Sequence, residues 1–174
     1  MVVMLMCFVV GDSDVLPWQC LTRYPESCQD VKFVDVDFPD LIERKRQTVE
    51  ATPELKGAFT GVKTPGELGA PVMFESDQYV QIGCDLRQLD TLRKGLDAVL
   101  DVQNCEFLFV AEVSITYMET EGADGVIQWA SALGDGELVS LGFQMECADI
   151  NKPSLFSWSR SFPKALSTLL PLLC

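Results

Sequence analysis

Four short, almost wholly apolar runs constrain this chain more than anything else in its sequence: Val2–Val10, Val31–Val36, Tyr79–Gly83 and Phe107–Ala111. Each has the length of a strand. A strand that is apolar at consecutive rather than alternate positions must be covered on both faces. The segments between the runs carry a helical period. "DLIERKRQTVEA", opened by Pro39 and closed before Pro53, predicts a helix to about Ala51. "DLRQLDTLRKGLDAVL" puts Leu86, Leu89, Leu92, Leu96, Val99 and Leu100 on one helical face, with Asp85 before it as an N-cap candidate. A further pattern over Gly122–Leu133 aligns Val126, Ile127, Ala130 and Leu133, and Glu137–Leu141 reads as a fifth strand. Gly57–Pro71, with several Gly and Pro and little period, reads as a loop. Strands alternating with helices predict right-handed βαβ units: an α/β chain with a parallel sheet and flanking helices.

The totals narrow the function classes. At 174 residues and 48% hydrophobic, the chain has room for one domain with a sizeable core. It carries 13 Lys+Arg against 26 Asp+Glu, a net charge of -13. Such a surface repels phosphate backbones, so this segment is not expected to supply most of the affinity for a nucleic acid. The seven cysteines, Cys7, Cys20, Cys28, Cys84, Cys105, Cys147 and Cys174, form no C-x-x-C pair and read as reduced thiols of a cytoplasmic protein. With no histidine and this cysteine spacing, no zinc site is expected. The missing histidine also removes the commonest general base. "MVVMLMCFVV" is too short to span a bilayer and lacks the basic start and cleavage site of a signal peptide; no membrane role is expected.

The second apolar run ends unusually. In "KFVDVDFPDLIERKR" two acids, Asp35 and Asp37, interrupt it just before Pro39. Asp14, Asp37, Asp85 and Glu112 all fall at or just beyond predicted strand C-termini, the edge where ligands of parallel sheets bind. An acid ending the second strand can accept hydrogen bonds from both hydroxyls of a ribose. Asp37 is equally well placed to cap the helix behind it. Asp85 faces the same choice. Glu112 has no helix start beside it, which favours a functional role. The loop after the first strand, "VVGDSD", offers only Gly11 for close approach to a ligand.

The corners "SDVLPWQCL", "VDVDFPDLIERK", "IGCDLRQL" and "FVAEVSITYME", in this order over about Ser13 to Leu133, resemble the leucine carboxyl methyltransferase family. "TPEL", "SDQYVQIGCDLRQL" and "AEVSITYME" are most similar to its fungal wybutosine-synthesising branch. The resemblance implies a Rossmann-like fold that uses S-adenosylmethionine. It implies methyl ester formation on the side chain of a hypermodified guanosine in phenylalanine tRNA. The family's other branch methylates the C-terminal leucine carboxylate of the protein phosphatase 2A catalytic subunit, which is kept as the alternative. By motif, Asp37 would bind the ribose, Asp85 and Leu86 would border the adenine, and Glu112 would lie beside the methionine end. Gly11 and Asp14 would belong to the first glycine motif, where Val10 and Asp12 stand in place of its glycines. A carboxylate acceptor is already ionised at neutral pH, so the implied chemistry asks for alignment rather than a base.

Against the family pattern, the N-terminal helices with their cofactor-holding Lys and Arg, and the kelch repeats of the wybutosine branch, are not in this sequence. The expectation is a fold incomplete at both ends. Residues 1–141 would be a partial methyltransferase domain and 142–174 an irregular tail unlike the family, with phenylalanine tRNA held largely by other regions. A cofactor-binding module without catalysis and an inactive truncated product are the rival readings.

Overall fold

The computed structural model describes residues 2–8, 16–112, 118–133 and 139–144. Among them, strands β1 (Val2–Phe8), β2 (Val31–Asp37), β3 (Val72–Glu75), β4 (Tyr79–Gly83), β5 (Glu106–Glu112) and β6 (Val139–Gln144) form one sheet in the order β3-β4-β2-β1-β5-β6. All neighbours are parallel except the β3/β4 pair. The chain steps outward from β1 to β2 and β4, then returns to the other flank of β1 for β5 and β6. The winding therefore reverses at β1, and sheets wound in this way take their ligands at the carboxyl ends of the strands where the order reverses.

β2, β4 and β5 are covered on both faces, as their composition requires. On one face Val34, Val36, Ile82, Phe107 and Phe109 pack with Leu92 and Leu96 of α4 (Leu89–Val99) and Val126 and Ala130 of α5 (Thr120–Ser131). On the other, Phe33, Tyr79 and Leu108 pack with Trp18 and Leu21 of α1 (Leu16–Arg23), Val49 of α2 (Pro39–Ala51) and Phe59 just after α3 (Pro53–Ala58). Phe33 and Val34 thus go to opposite faces, by the alternation of side chains along a strand. Tyr79 is fully buried, stacked on Phe59 with ring centroids 5.1 Å apart and edge-on to Trp18 at 6.5 Å.

The structure departs from the sequence expectations in four places. β3, four residues reading "VMFE", had no periodic signal and adds an antiparallel edge to the parallel sheet. The short helices α1 and α3 were not expected either; neither is long enough for a period to stand out. Asp85 is not the N-cap of α4, which starts at Leu89 with Gln88 before it. The Asp85 carboxylate instead accepts the Arg87 N–H at 2.9 Å, and its carbonyl accepts the Gln88 N–H at 2.8 Å, so the peptide turns once before the helix begins. The last strand is shifted: β6 runs Val139–Gln144 rather than Glu137–Leu141.

Candidate functional site

Strand register brings the predicted acids to one edge. Asp37 ends β2 and pairs with Gly83 at the end of β4; Phe8, at the end of β1, pairs with Glu112 at the end of β5. Cys7 pairs with Val36 on one side and Ala111 on the other, which sets Asp37 and Glu112 level across β1. Two strand spacings separate them, roughly 10 Å. Asp85 follows β4 by two residues, and the Cys84 N–H binds the Asp37 carbonyl at 2.9 Å, drawing that turn against the end of β2. Gly11 and Asp14 lie outside the described residues.

Asp37 does not cap α2. The N-cap is Phe38, whose carbonyl accepts from the Leu41 and Ile42 N–H groups, and no side chain caps the helix. The Asp37 carboxylate turns elsewhere. Its Oδ1 accepts the Phe38 N–H at 2.8 Å, and its Oδ2 lies 3.4 Å from Lys45 Nζ. The same ammonium donates to both oxygens of Asp35 at 3.1 Å. Asp35 Oδ2 also accepts the Tyr79 hydroxyl at 3.0 Å, and that hydroxyl accepts from Gln81 Nε2 at 3.0 Å. Asp35, Tyr79 and Gln81 are buried in full; Asp37, nearer the rim, is 5% exposed.

The energetics follow from burial. Desolvation raises the pKa of Asp35, and Lys45 and the Tyr79 hydroxyl pull it back. Desolvation likewise raises Asp37 against Lys45 and the Phe38 N–H. Burial works against the Lys45 ammonium, but the two carboxylates outweigh it and its pKa is raised. Burial and the Asp35 charge push Tyr79 well above its ordinary range, so it remains a neutral donor.

The turn after β4 is more open. Asp85 is bound by the exposed Arg87 guanidinium, at 2.9 and 3.0 Å from Nε, which holds its carboxyl below the usual range. Leu86 is 8% exposed and belongs to the core that includes Leu92 and Leu96. A cavity of about 460 Å³ lies elsewhere, between the far half of α2 and the loop before β3, lined by Val49, Phe59, Val62, Leu68 and Met73 among others. No rim acid lines it.

Sequence reasoning missed Lys45, Tyr79 and Gln81. The first sat unremarked inside "IERKR" and the others inside an apolar-looking run. A usable signal did exist: two acids on one face of a strand covered on both sides require a buried cation. On the helix that follows, the cation at helical spacing from the buried Ile42 and Val49, three residues after the one and four before the other, is Lys45.

A doubly wound α/β sheet with carboxylates along its C-terminal edge belongs to the class of proteins that take ligands at that edge. The sequence matches the family described as Leucine carboxyl methyltransferase over residues 19–131. It is 48% identical over 134 residues to tRNA wybutosine-synthesizing protein 4 of Gibberella zeae, covering 74% of this chain and 13% of that protein. It is 44% identical over 197 aligned residues to the protein of the same name from Neurospora crassa, covering 74% and 16%. The human protein of that name is 42% identical over 98 residues, covering 56% and 14%. The chain belongs to the leucine carboxyl methyltransferase family. It spans less than a fifth of the length of these relatives.

Proposed function

We propose that this chain supplies the cofactor-binding sheet of an S-adenosylmethionine-dependent carboxyl methyltransferase with a Rossmann-like fold, acting in wybutosine synthesis on phenylalanine tRNA. The observation that carries the reading is Asp37. It is a carboxylate at the end of the second strand, level with the end of β1, and held from within rather than spent on a helix cap. Its chemistry fits the nucleoside half of the cofactor: an ionised acceptor for two ribose hydroxyls, with apolar Leu86 and the acceptor Asp85 one turn away for the adenine. When bound, S-adenosylmethionine supplies a methyl group activated by its sulfonium.

In this reading Asp37 orients the ribose, and Glu112, level with it across β1, borders the methionine end. Gly11 and Asp14 would line the loop after β1. The acceptor carboxylate needs no proton removed, which agrees with a chain that has no histidine. Relatives named for wybutosine synthesis favour the tRNA reading over methylation of the phosphatase tail. At net -13, affinity for the tRNA would come from other regions of the protein.

The test is calorimetric titration of the purified chain with S-adenosylmethionine. Asp37→Ala is expected to weaken binding on the order of 1.5–3 kcal/mol, the strength of hydrogen bonds to a charged group, and by more than Asp35→Ala does. Equal, small losses in both variants would overturn the ribose role. Methyl transfer to tRNA carrying the carboxylated precursor base, and none to a phosphatase C-terminal peptide, is the expected outcome in a protein that contains this sheet. The reverse preference would overturn the acceptor.

A further inference from the structure

Lys45 stands between two carboxylates of unequal standing. Asp35 is 1% exposed and lies one β-repeat inside Asp37, with no access to the rim of its own. Its oxygens are consumed by Lys45 and by the Tyr79 hydroxyl, which Gln81 in turn holds. Its partner Tyr79 belongs to an apolar cluster with Phe33, Trp18 and Phe59, a face whose stability does not call for an acid. Burying an ion pair is at best a weak gain over well-packed apolar groups. The network leads outward to one place, Asp37. Lys45 Nζ meets its Oδ2 and the Phe38 N–H its Oδ1, so both oxygens are fixed from the protein side.

We propose that Lys45 is a positioning residue for the ribose-binding carboxylate. Its ammonium, clamped by Asp35, fixes the orientation and charge of Asp37 so that the remaining lone pairs are presented to the cofactor's hydroxyls. This rests on the reading of Asp37 as the ribose ligand. The physical content is preorganisation. Each link, from Gln81 through Tyr79, Asp35 and Lys45 to Asp37, removes rotamer freedom that binding would otherwise have to freeze. Among the described residues, the titratable groups packed on this path are Asp35 and Asp37 of β2, Lys45 of α2 and Tyr79 of β4.

The experiment titrates S-adenosylhomocysteine and its 2′-deoxy and 3′-deoxy analogues into the wild-type chain, D37N, K45M, K45R and the pair variant D35N/K45M, from pH 5.5 to 8.5. Urea unfolding of each variant confirms the fold. Loss of a ribose hydroxyl is expected to cost the wild type about tenfold in affinity, and to cost D37N almost nothing. K45M and D35N/K45M should also lose most of that discrimination, and K45R should keep it. D35N/K45M removes both buried charges together, so it stays informative if K45M unfolds. The acid limb of binding should move to higher pH in K45M, because burial raises Asp37 further without the cation.

If D37N keeps the hydroxyl cost, or the wild type binds no cofactor, the ribose reading itself fails and the proposal falls with it. If D37N erases the cost while folded D35N/K45M retains it, Asp37 binds ribose without help and the role of Lys45 is overturned.

Discussion

Tyr79→Phe removes one oxygen from a fully buried polar contact and leaves the ring where it is. The ring keeps its stacking on Phe59, its edge contact with Trp18 and its tilted contact with Phe74. What goes is the 3.0 Å hydrogen bond to Asp35 Oδ2 and the acceptor for Gln81 Nε2. A hydrogen bond to a charged group contributes about 1.5–3 kcal/mol. A buried amide donor left without a partner costs about 1–3 kcal/mol. Both losses pass through one atom and the apolar ring is cheaper to bury, so they do not add in full. About 2 kcal/mol is the expected loss at neutral pH.

The pH dependence separates this account from simple loosening. Burial already raises the folded-state pKa of Asp35, and the Tyr79 hydroxyl holds it down. Without the hydroxyl it rises further. A raised folded pKa stabilises in full below the unfolded pKa, about 3.9 for Asp, and that stabilisation is lost as pH climbs through the folded value. The deficit of the variant should therefore be larger at pH 7 than at pH 4. Urea unfolding of both proteins across that range measures it. A loss under about 0.5 kcal/mol, or one equal at both ends of the range, would refute the reasoning.

Two further substitutions bracket the same energetics. Leu96→Ala, at a fully buried α4 position against the sheet, should cost about 2–5 kcal/mol in urea unfolding; a loss under about 1 kcal/mol would mean that α4 is not packed as described. Asp85→Ala breaks an exposed pair with the Arg87 guanidinium and an exposed bond from the Arg87 N–H, so stability should change by no more than about 1 kcal/mol while cofactor affinity falls; a large loss of stability with unchanged binding would make Asp85 a folding residue instead.

The order of elements was legible in the sequence because burial on both faces leaves consecutive apolar residues, and helices between such strands leave a 3.6-residue period. Val31–Asp37, Pro39–Ala51, Tyr79–Gly83 and Glu106–Glu112 lie within a residue or so of their expected bounds. Parallel strands then oblige their C-terminal residues to share an edge, so Asp37 and Glu112 could be placed on one rim before any coordinates. Short elements escaped: β3, α1 and α3 complete too little of a period to register.

Tertiary structure alone decided what the acids touch. Nothing in "VDVDFPDLIERK" says whether Asp37 caps its own helix or faces the rim. The answer depends on Pro39 and Phe38 setting the helix start beyond the reach of its carboxylate. Lys45 lies ten positions from Asp35, and Tyr79 forty-four. Periodicity encodes which face a side chain turns to, a local property of φ and ψ. It does not encode its partner there, which is settled only when α2 and β4 close on β2 and the burial of two charges requires a cation and a hydroxyl beside them.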